Sequence, residues 1–471
     1  MANVNKKAVM DWVAKNAAPF EELALDLWQH PELAYEETHA AKAQMDFLKA
    51  RGFKVSQRAP EKLPTAFVAE WGDEGGPTIG TLGEFDALAG MSQAACAHQE
   101  PVTEGAPGHA CGHNLIGAGT LFAACAAREA LESQGIKARV RYYGCPAEEV
   151  LTGKGKMAEA GYFLDDGTDV CVSWHPADYS SVTAATMTAM VSAKFRFRGI
   201  PAHAGNAPEA GRSALDAVEL MNVGANYMRE HMVAQDRLHY TIIDGGQAPN
   251  IVPAHAGVWY FARAPHDAEL RALWRRLAKV AAGAAMMTET EMEYELLGGC
   301  YNTLPNTTLN RVLEENLLSA PRVEFSAEET AFAREIQASL PAGLLEAARR
   351  RLPQLEGSDA LLDTTPLPCF DEGQFVMGSS DVGDVANIMP VATAWLAAWP
   401  VGVPHHSWQA AACTGSSIGL KSLSLAANTL ACTILDLAVS PDVIQKAKEE
   451  FRTRRAGRPY QPIKELLEQK D

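Results

Sequence analysis

No run of eighteen consecutive apolar residues occurs anywhere in the 471 residues, so no membrane span is expected. The first thirty residues mix Asn, Lys, Asp and Glu among apolar positions, and they show neither the apolar core nor the cleavage pattern of a secretion signal. Positive charge is in deficit: 41 Lys and Arg stand against 58 Asp and Glu, a formal net charge of -17. A phosphate backbone would be repelled, which argues against nucleic acid as a partner. Internal repeats and low-complexity tracts are missing too, so solenoids and linkers are not expected. The nine cysteines, at 96, 111, 125, 145, 171, 300, 369, 413 and 432, are odd in number and follow no repeating spacing. Reduced thiols in a cytoplasmic enzyme fit that pattern better than a disulfide framework.

What is present is an ordinary globular composition, 47% apolar and 21% charged, on a chain long enough for two to four domains or one large core carrying an insertion. Apolar periodicity predicts helices over Val9–Ala14, Phe20–Gln29 and, past the breaker His30-Pro31, from Glu37 to Arg51. Strands are expected at Phe67–Trp71, Thr78–Leu82 and Ala138–Tyr143, with an alanine-rich helix from Ala118 to Ser133. Strands alternating with helices indicate an α/β sheet. Near residue 188 the pattern changes. Met190–Arg198 largely alternates, and it is followed by a helix from Ala214, strands at Leu238–Ile243 and Gly257–Arg263, a helix at Asp267–Ala282 and a strand at Thr290–Leu296. That βαββαβ order is ferredoxin-like and small enough to be an insertion. The expected organisation is therefore an α/β domain in two pieces, 1–187 and 305–471, interrupted by an α+β domain at 188–304.

Four segments could carry chemistry. In Gly108-His109-Ala110-Cys111-Gly112-His113, an extended loop would point Cys111 and His113 the same way, and a thiolate beside an imidazole suits zinc or a similar transition metal. A glycine-rich turn with a buried cysteine explains the string equally well. Glu148 and Glu149, in Pro146-Ala147-Glu148-Glu149, follow a predicted strand end, where α/β sheets place ligands. Adjacent side chains diverge, so one carboxylate can hold a cation while the other takes a proton from water; taken alone, the pair is more often a solvated loop. His175 is expected just past the short apolar strand Val170–Val172, and taken singly, beside Trp174, it is more often a packed core histidine. His405-His406 leaves open which ring serves a site and which lies on the surface. Together these positions supply a thiol, imidazoles and a carboxylate, enough for a binuclear centre.

These strings, with Leu27-Trp28-Gln29-His30-Pro31-Glu32-Leu33, Gly83-Glu84-Phe85-Asp86-Ala87-Leu88, Gly211-Arg212-Ser213-Ala214-Leu215-Asp216, Ser380-Asp381-Val382-Gly383-Asp384 and His406-Ser407-Trp408, resemble the aminoacylase/carboxypeptidase G family of metallohydrolases nearly end to end. The resemblance implies a mixed-sheet catalytic domain with an inserted ferredoxin-like lid and dimerisation domain. Two divalent ions per chain, zinc or manganese, would be held by Cys111, His113, Glu149, His175 and His406, with Cys111 bridging in place of an aspartate found elsewhere in the family. Glu148 would be the general base, and Asp86 would orient a ligand. Glu84 stands where many relatives carry a ligand histidine and is not counted among the ligands. His203 would reach a partner subunit's site and polarise the scissile carbonyl, while Asn250 and Arg263 would hold a substrate carboxylate.

The implied activity is cleavage of the amide of N-acyl or N-aroyl amino acids such as p-aminobenzoyl-glutamate, by a homodimer or together with a homologous partner subunit. Dipeptidase or aminoacylase action, and a non-catalytic metal-binding subunit, are the competing readings. One departure is Leu420, which stands where a related branch has a histidine and implies a different substrate shape near the metals.

Overall fold

The computed structural model describes residues 4–72, 75–164, 166–352 and 360–468, which fall into two compact units. The first comprises residues 1–185, 304–374 and 385–459; the second comprises 186–303, 375–384 and 460–471.

The first unit is built on a seven-stranded sheet in the order Lys54–Ser56, Phe67–Gly72, Arg139–Cys145, Thr78–Glu84, Val170–Ala177, Val391–Ala397, Ser181–Thr183. The four strands from Arg139–Cys145 to Val391–Ala397 are mutually parallel, and the strands on either side of them run antiparallel. Parallel strands are covered on both faces, which is why Thr78–Glu84 is buried at every residue. The early helices form where periodicity predicts them, at Lys6–Asn16, Ala18–Gln29 and Thr38–Ala50. The Glu32 carboxylate accepts from the His39 and Ala40 amides at the start of the third, satisfying donors that a helix end leaves open.

Phe20 stacks on Phe122 at 4.0 Å between ring centroids, with Trp12 alongside. Burial of each such ring is worth about 1.5–3 kcal/mol. The helix Ser417–Ala438 is long and apolar enough to cross a membrane by composition, but most of its apolar stretch is buried, and it packs on His113–Gln134 inside this core. Leu420 is one of the residues it packs against the core.

The second unit carries the βαββαβ order the alternation predicts: strands Ala189–Arg198, Arg237–Asp244, His255–Ala264 and Glu291–Cys300, with helices Ala214–Met228 and Asp267–Thr288. In chain order its sheet runs fourth, first, third, second, and every pairing is antiparallel. Phe195 and Phe197 face the helices while Arg196 and Arg198 face solvent, so register follows from the buried face. The fold is thus α/β with a ferredoxin-like second unit.

Candidate active site

Ligands of open α/β sheets sit beyond the carboxyl ends of parallel strands. Here Glu84 ends one such strand with Asp86 just after it, Cys145 ends its neighbour ahead of Glu148 and Glu149, and His175 lies near the end of a third. His175 is inside the strand Val170–Ala177, not past its end as the apolar run Val170–Val172 suggests. Parallel pairing of Trp395 with His175 and of Ala397 with Ala177 carries the strand through the proline.

Cys111 and His113 likewise reach the site by a different route from the extended loop expected. His113 opens the helix His113–Gln134, and Gly112 before it is left-handed, with φ +79°. A Cβ on Gly112 would come within 2.8 Å of Pro176, so the position needs glycine for both conformation and space.

The first unit brings five expected ligands and Glu148 together. Ligand atoms of Cys111, His113 and His175 lie within 4.8 Å of one another, as do those of Cys111, Glu149 and His406, and those of His113, Glu148 and Glu149. Cys111 is shared by the first two groups. Its Sγ is 3.5 Å from His175 Nε2, and Glu149 Oε2 is 3.3 Å from His406 Nε2.

Neighbouring groups set the histidine tautomers. His113 Nδ1 donates to Asp86 Oδ1 at 2.9 Å and His175 Nδ1 donates to the Pro176 carbonyl at 2.8 Å, which turns the Nε2 lone pair of each ring inward. The other Asp86 oxygen accepts the Glu149 amide at 2.9 Å. Burial would raise the Asp86 carboxyl, yet the His113 hydrogen bond and charge, the Glu149 amide and Lys154 outweigh it and hold it below the usual carboxylate range.

His113 Nε2 and Glu149 Oε1 are buried and have no hydrogen-bond partner. A ring nitrogen and a carboxylate oxygen left unpaired in this way are costly. Burial would lower His113, but Cys111 and Asp86 beside the ring push it well up, and a divalent cation in place of that proton is the partner the pair's chemistry fits. Burial raises the Glu149 carboxyl to about 7, and burial with the Glu149 charge pushes the Cys111 thiol well up. A cation held there would reverse both shifts, since coordination deprotonates a thiol outright.

Burial, then His405 and His113, lowers His406 to about 4, so its ring is neutral and able to ligate near neutral pH. Its neighbour in the pair is not a surface residue. His405 is half-buried, its ring against those of Trp399, His175 and Trp395, and its Nε2 donates to the Pro176 carbonyl at 3.0 Å. His406 instead hangs from a left-handed backbone, φ +59°, fixed by its backbone N–H donating to the Ala110 carbonyl at 3.0 Å.

Three residues that sequence reasoning left unassigned support this arrangement. Glu37 is fully buried and accepts from the Ala147 amide at 2.8 Å and from the Thr65 hydroxyl. It thereby holds Ala147 at φ +58° and aims the two glutamates that follow. Lys154, also fully buried, is 2.6 Å from Glu84 Oε1, while Glu84 Oε2 lies 3.8 Å from His113 Nε2. His405 is the third. Neither Glu37, in Glu36-Glu37-Thr38-His39, nor Lys154, in Gly153-Lys154-Gly155-Lys156, carries a sequence signal that sets it apart from a solvated charge.

The remaining expected residues belong to the second unit. His203 is exposed, and its Nδ1 accepts the Gly205 and Asn206 amides at 3.2 and 3.1 Å, which leaves Nε2–H as its outward donor. Asn250 is close by, its carbonyl accepting the Ala204 amide, and Arg263 donates to Ser379 Oγ at 2.6 Å.

The chain resembles known proteins over most of its length. A profile described as a peptidase dimerisation domain matches residues 188–286. The chain is 37% identical over 462 residues to one of the subunits of the p-aminobenzoyl-glutamate hydrolase of Escherichia coli strain K12, covering 96% of this chain and 95% of that protein. It is 28% identical to the human Xaa-Arg dipeptidase, covering 91% and 88%. Among solved structures, a dinuclear metal-binding peptidase of the M20 family from Bacillus subtilis superposes with a TM-score of 0.58 at 17% identity, covering 89% of this chain and 98% of that one. On that identity and coverage the chain belongs to the M20 peptidase family together with the Escherichia coli p-aminobenzoyl-glutamate hydrolase, and it is a metal-dependent hydrolase of amide bonds.

Proposed function

We propose that this chain is a binuclear metal-dependent amidohydrolase that cleaves the amide between an acyl or aroyl group and an amino acid, with p-aminobenzoyl-glutamate as the leading substrate. The observation that carries this reading is the sharing of Cys111 between two ligand groups, beside a His113 nitrogen and a Glu149 oxygen that are buried without partners. Cys111, His113, Glu149, His175 and His406 are the residues that would hold two divalent ions. Zinc suits the thiolate and manganese the carboxylate.

Bound there, the ions supply Lewis acidity, which lets water be deprotonated near neutral pH. Glu148, placed beside the ligands but outside the Asp86 hydrogen bonds, takes that proton and returns it to the leaving amine. Asp86 holds the His113 ring in the ligating tautomer. The expected result of Asp86→Asn is a metal affinity about 10–100-fold weaker, measured by titrating the stripped protein; an unchanged affinity refutes the role.

His203 Nε2–H is the donor we assign to the carbonyl oxygen as charge builds on it. Arg263 and Asn250 are assigned to the substrate carboxylate, for which the planar guanidinium fork is suited. His203→Ala is expected to lower kcat about 10²–10³-fold with metal content unchanged; a change confined to KM would move His203 from catalysis to binding.

A homodimer fits the second unit. Its edge strand Arg237–Asp244 exposes Tyr240, Ile242 and Ile243, and the helix Ala214–Met228 exposes Val223 and Tyr227. An exposed apolar edge of this kind calls for a cover. A cytoplasmic location fits nine cysteines that form no disulfide.

The likeness to an Xaa-Arg dipeptidase favours dipeptides as the second substrate class. The deciding experiment is hydrolysis of p-aminobenzoyl-glutamate by the chain alone, stripped of metal and refilled with zinc or manganese. Cleavage restored by metal supports the reaction and excludes an idle subunit. No cleavage with either metal turns the reading towards dipeptides, other N-acyl amino acids or a required partner subunit.

A further inference from the structure

A second group of metal-ligating side chains lies in the first unit, on the loop between Asp86 and Cys111. Cys96 Sγ is 3.8 Å from His98 Nε2 and 3.8 Å from Glu100 Oε2, and those last two atoms are 2.6 Å apart. All three are within the spacing of a common centre.

The loop is folded to bring them there. Gln93, almost fully buried, donates through its amide to the Ala94 and His98 carbonyls and towards Cys96 Sγ, and its Oε1 accepts the Glu100 amide at 3.0 Å. The Ala94 amide donates to the Glu100 carbonyl at 2.8 Å and closes the turn.

Two chemistries use a thiol, an imidazole and a carboxylate. A nucleophilic relay passes through both ring nitrogens, the thiol on one and the carboxylate on the other. Here sulfur and carboxylate both face Nε2, which carries at most one proton, so the three atoms point at one position and do not form a chain. We propose that Cys96, His98 and Glu100 form a separate mononuclear site for a zinc-like divalent cation, with water completing the tetrahedron. Zinc bonded to these atoms would set them about 3.4–3.6 Å apart, from Zn–S of about 2.3 Å and Zn–N and Zn–O of about 2.0–2.2 Å. The two sulfur distances are already near that, and only the His98–Glu100 pair must open.

The site would act as a clasp. The loop's base is tied to the ligand segment by the paired Leu88 and Gly108 amides and carbonyls and by the Ser92 amide on the Ala106 carbonyl. A cation at the tip would therefore stiffen the chain leading to Cys111 without touching substrate.

The test is zinc titration of the full-length stripped chain with Cys96→Ser and His98→Ala beside wild type. The expected result is that each variant binds about one equivalent fewer than wild type while its hydrolysis rate under saturating metal is unchanged. Because the readout is a difference, it does not depend on how many ions the Cys111 group holds. His39→Ala is the control, since Asp26, His30 and His39 form another exposed group of possible ligands. Equal stoichiometry in wild type and Cys96→Ser, or loss of the equivalent in His39→Ala instead, overturns the proposal.

Discussion

Glu148→Ala should lower kcat about 10²–10⁴-fold, the range a positioned general base contributes, while the purified variant keeps the metal content of wild type. Both halves of that expectation come from the geometry. Glu148 is buried at 7% exposure, and its Oε2 lies 3.9 Å from His113 Nε2, close enough to serve a water between the ligands. The five expected ligands are complete without it. Glu149, one residue on, has one oxygen 3.3 Å from His406 and the other buried and unpaired, so its removal should cost metal. Metal analysis and steady-state kinetics on Glu148→Ala and Glu149→Ala separate the two roles. Loss of metal in Glu148→Ala would make it a ligand and leave the reaction without an assigned base.

Much of this arrangement is legible in the sequence, and the reason is local. The second unit's strands and helices follow from alternation and helical spacing: Met190–Arg198 reads as a strand because every second side chain must enter one core, and the strand found is Ala189–Arg198. Cys111 and His113 stand out because glycines flank a thiol and an imidazole two residues apart. What the pattern does not carry is the backbone that joins them, since only the fold shows that Gly112 is left-handed and that Pro176 fills the space a Cβ there would need. Glu37 is equally hidden. Its function depends on Ala147, 110 residues further along the chain, and nothing near Glu37 in sequence reports that contact. The Glu84–Lys154 pair is another case: each looks like a solvated charge until the fold buries both. For His405-His406 the sequence offers two equivalent rings, and only the carbonyl of Pro176 decides which is tied back.

Cys111→Ala should be the more severe substitution, taking turnover down by about 10⁴-fold or more, together with the metal. The sulfur is shared. His113 and His175 form one group with Cys111, and Glu149 and His406 form another, so on the proposed reading deleting the common sulfur would leave two incomplete sets in place of one joined centre. Burial works in the same direction. Without a cation, His113 Nε2 and Glu149 Oε1 remain buried and unpaired, at a cost of about 1–3 kcal/mol for each such group. Metal should therefore stabilise the wild-type fold, by about 2.7 kcal/mol at a hundredfold excess over Kd, and this can be read as a rise in Tm when the stripped protein is refilled. Cys111→Ala should show little of that rise. Cys111→Asp provides the discriminating arm, because a carboxylate can bridge two cations where alanine cannot. If the bridging role is right, aspartate should recover most of the metal content and part of the turnover. A Cys111→Ala protein that still takes up the wild-type complement of metal and keeps its metal-dependent Tm would show that the two ligand groups act independently, and that the thiol lies beside the centre without being part of it.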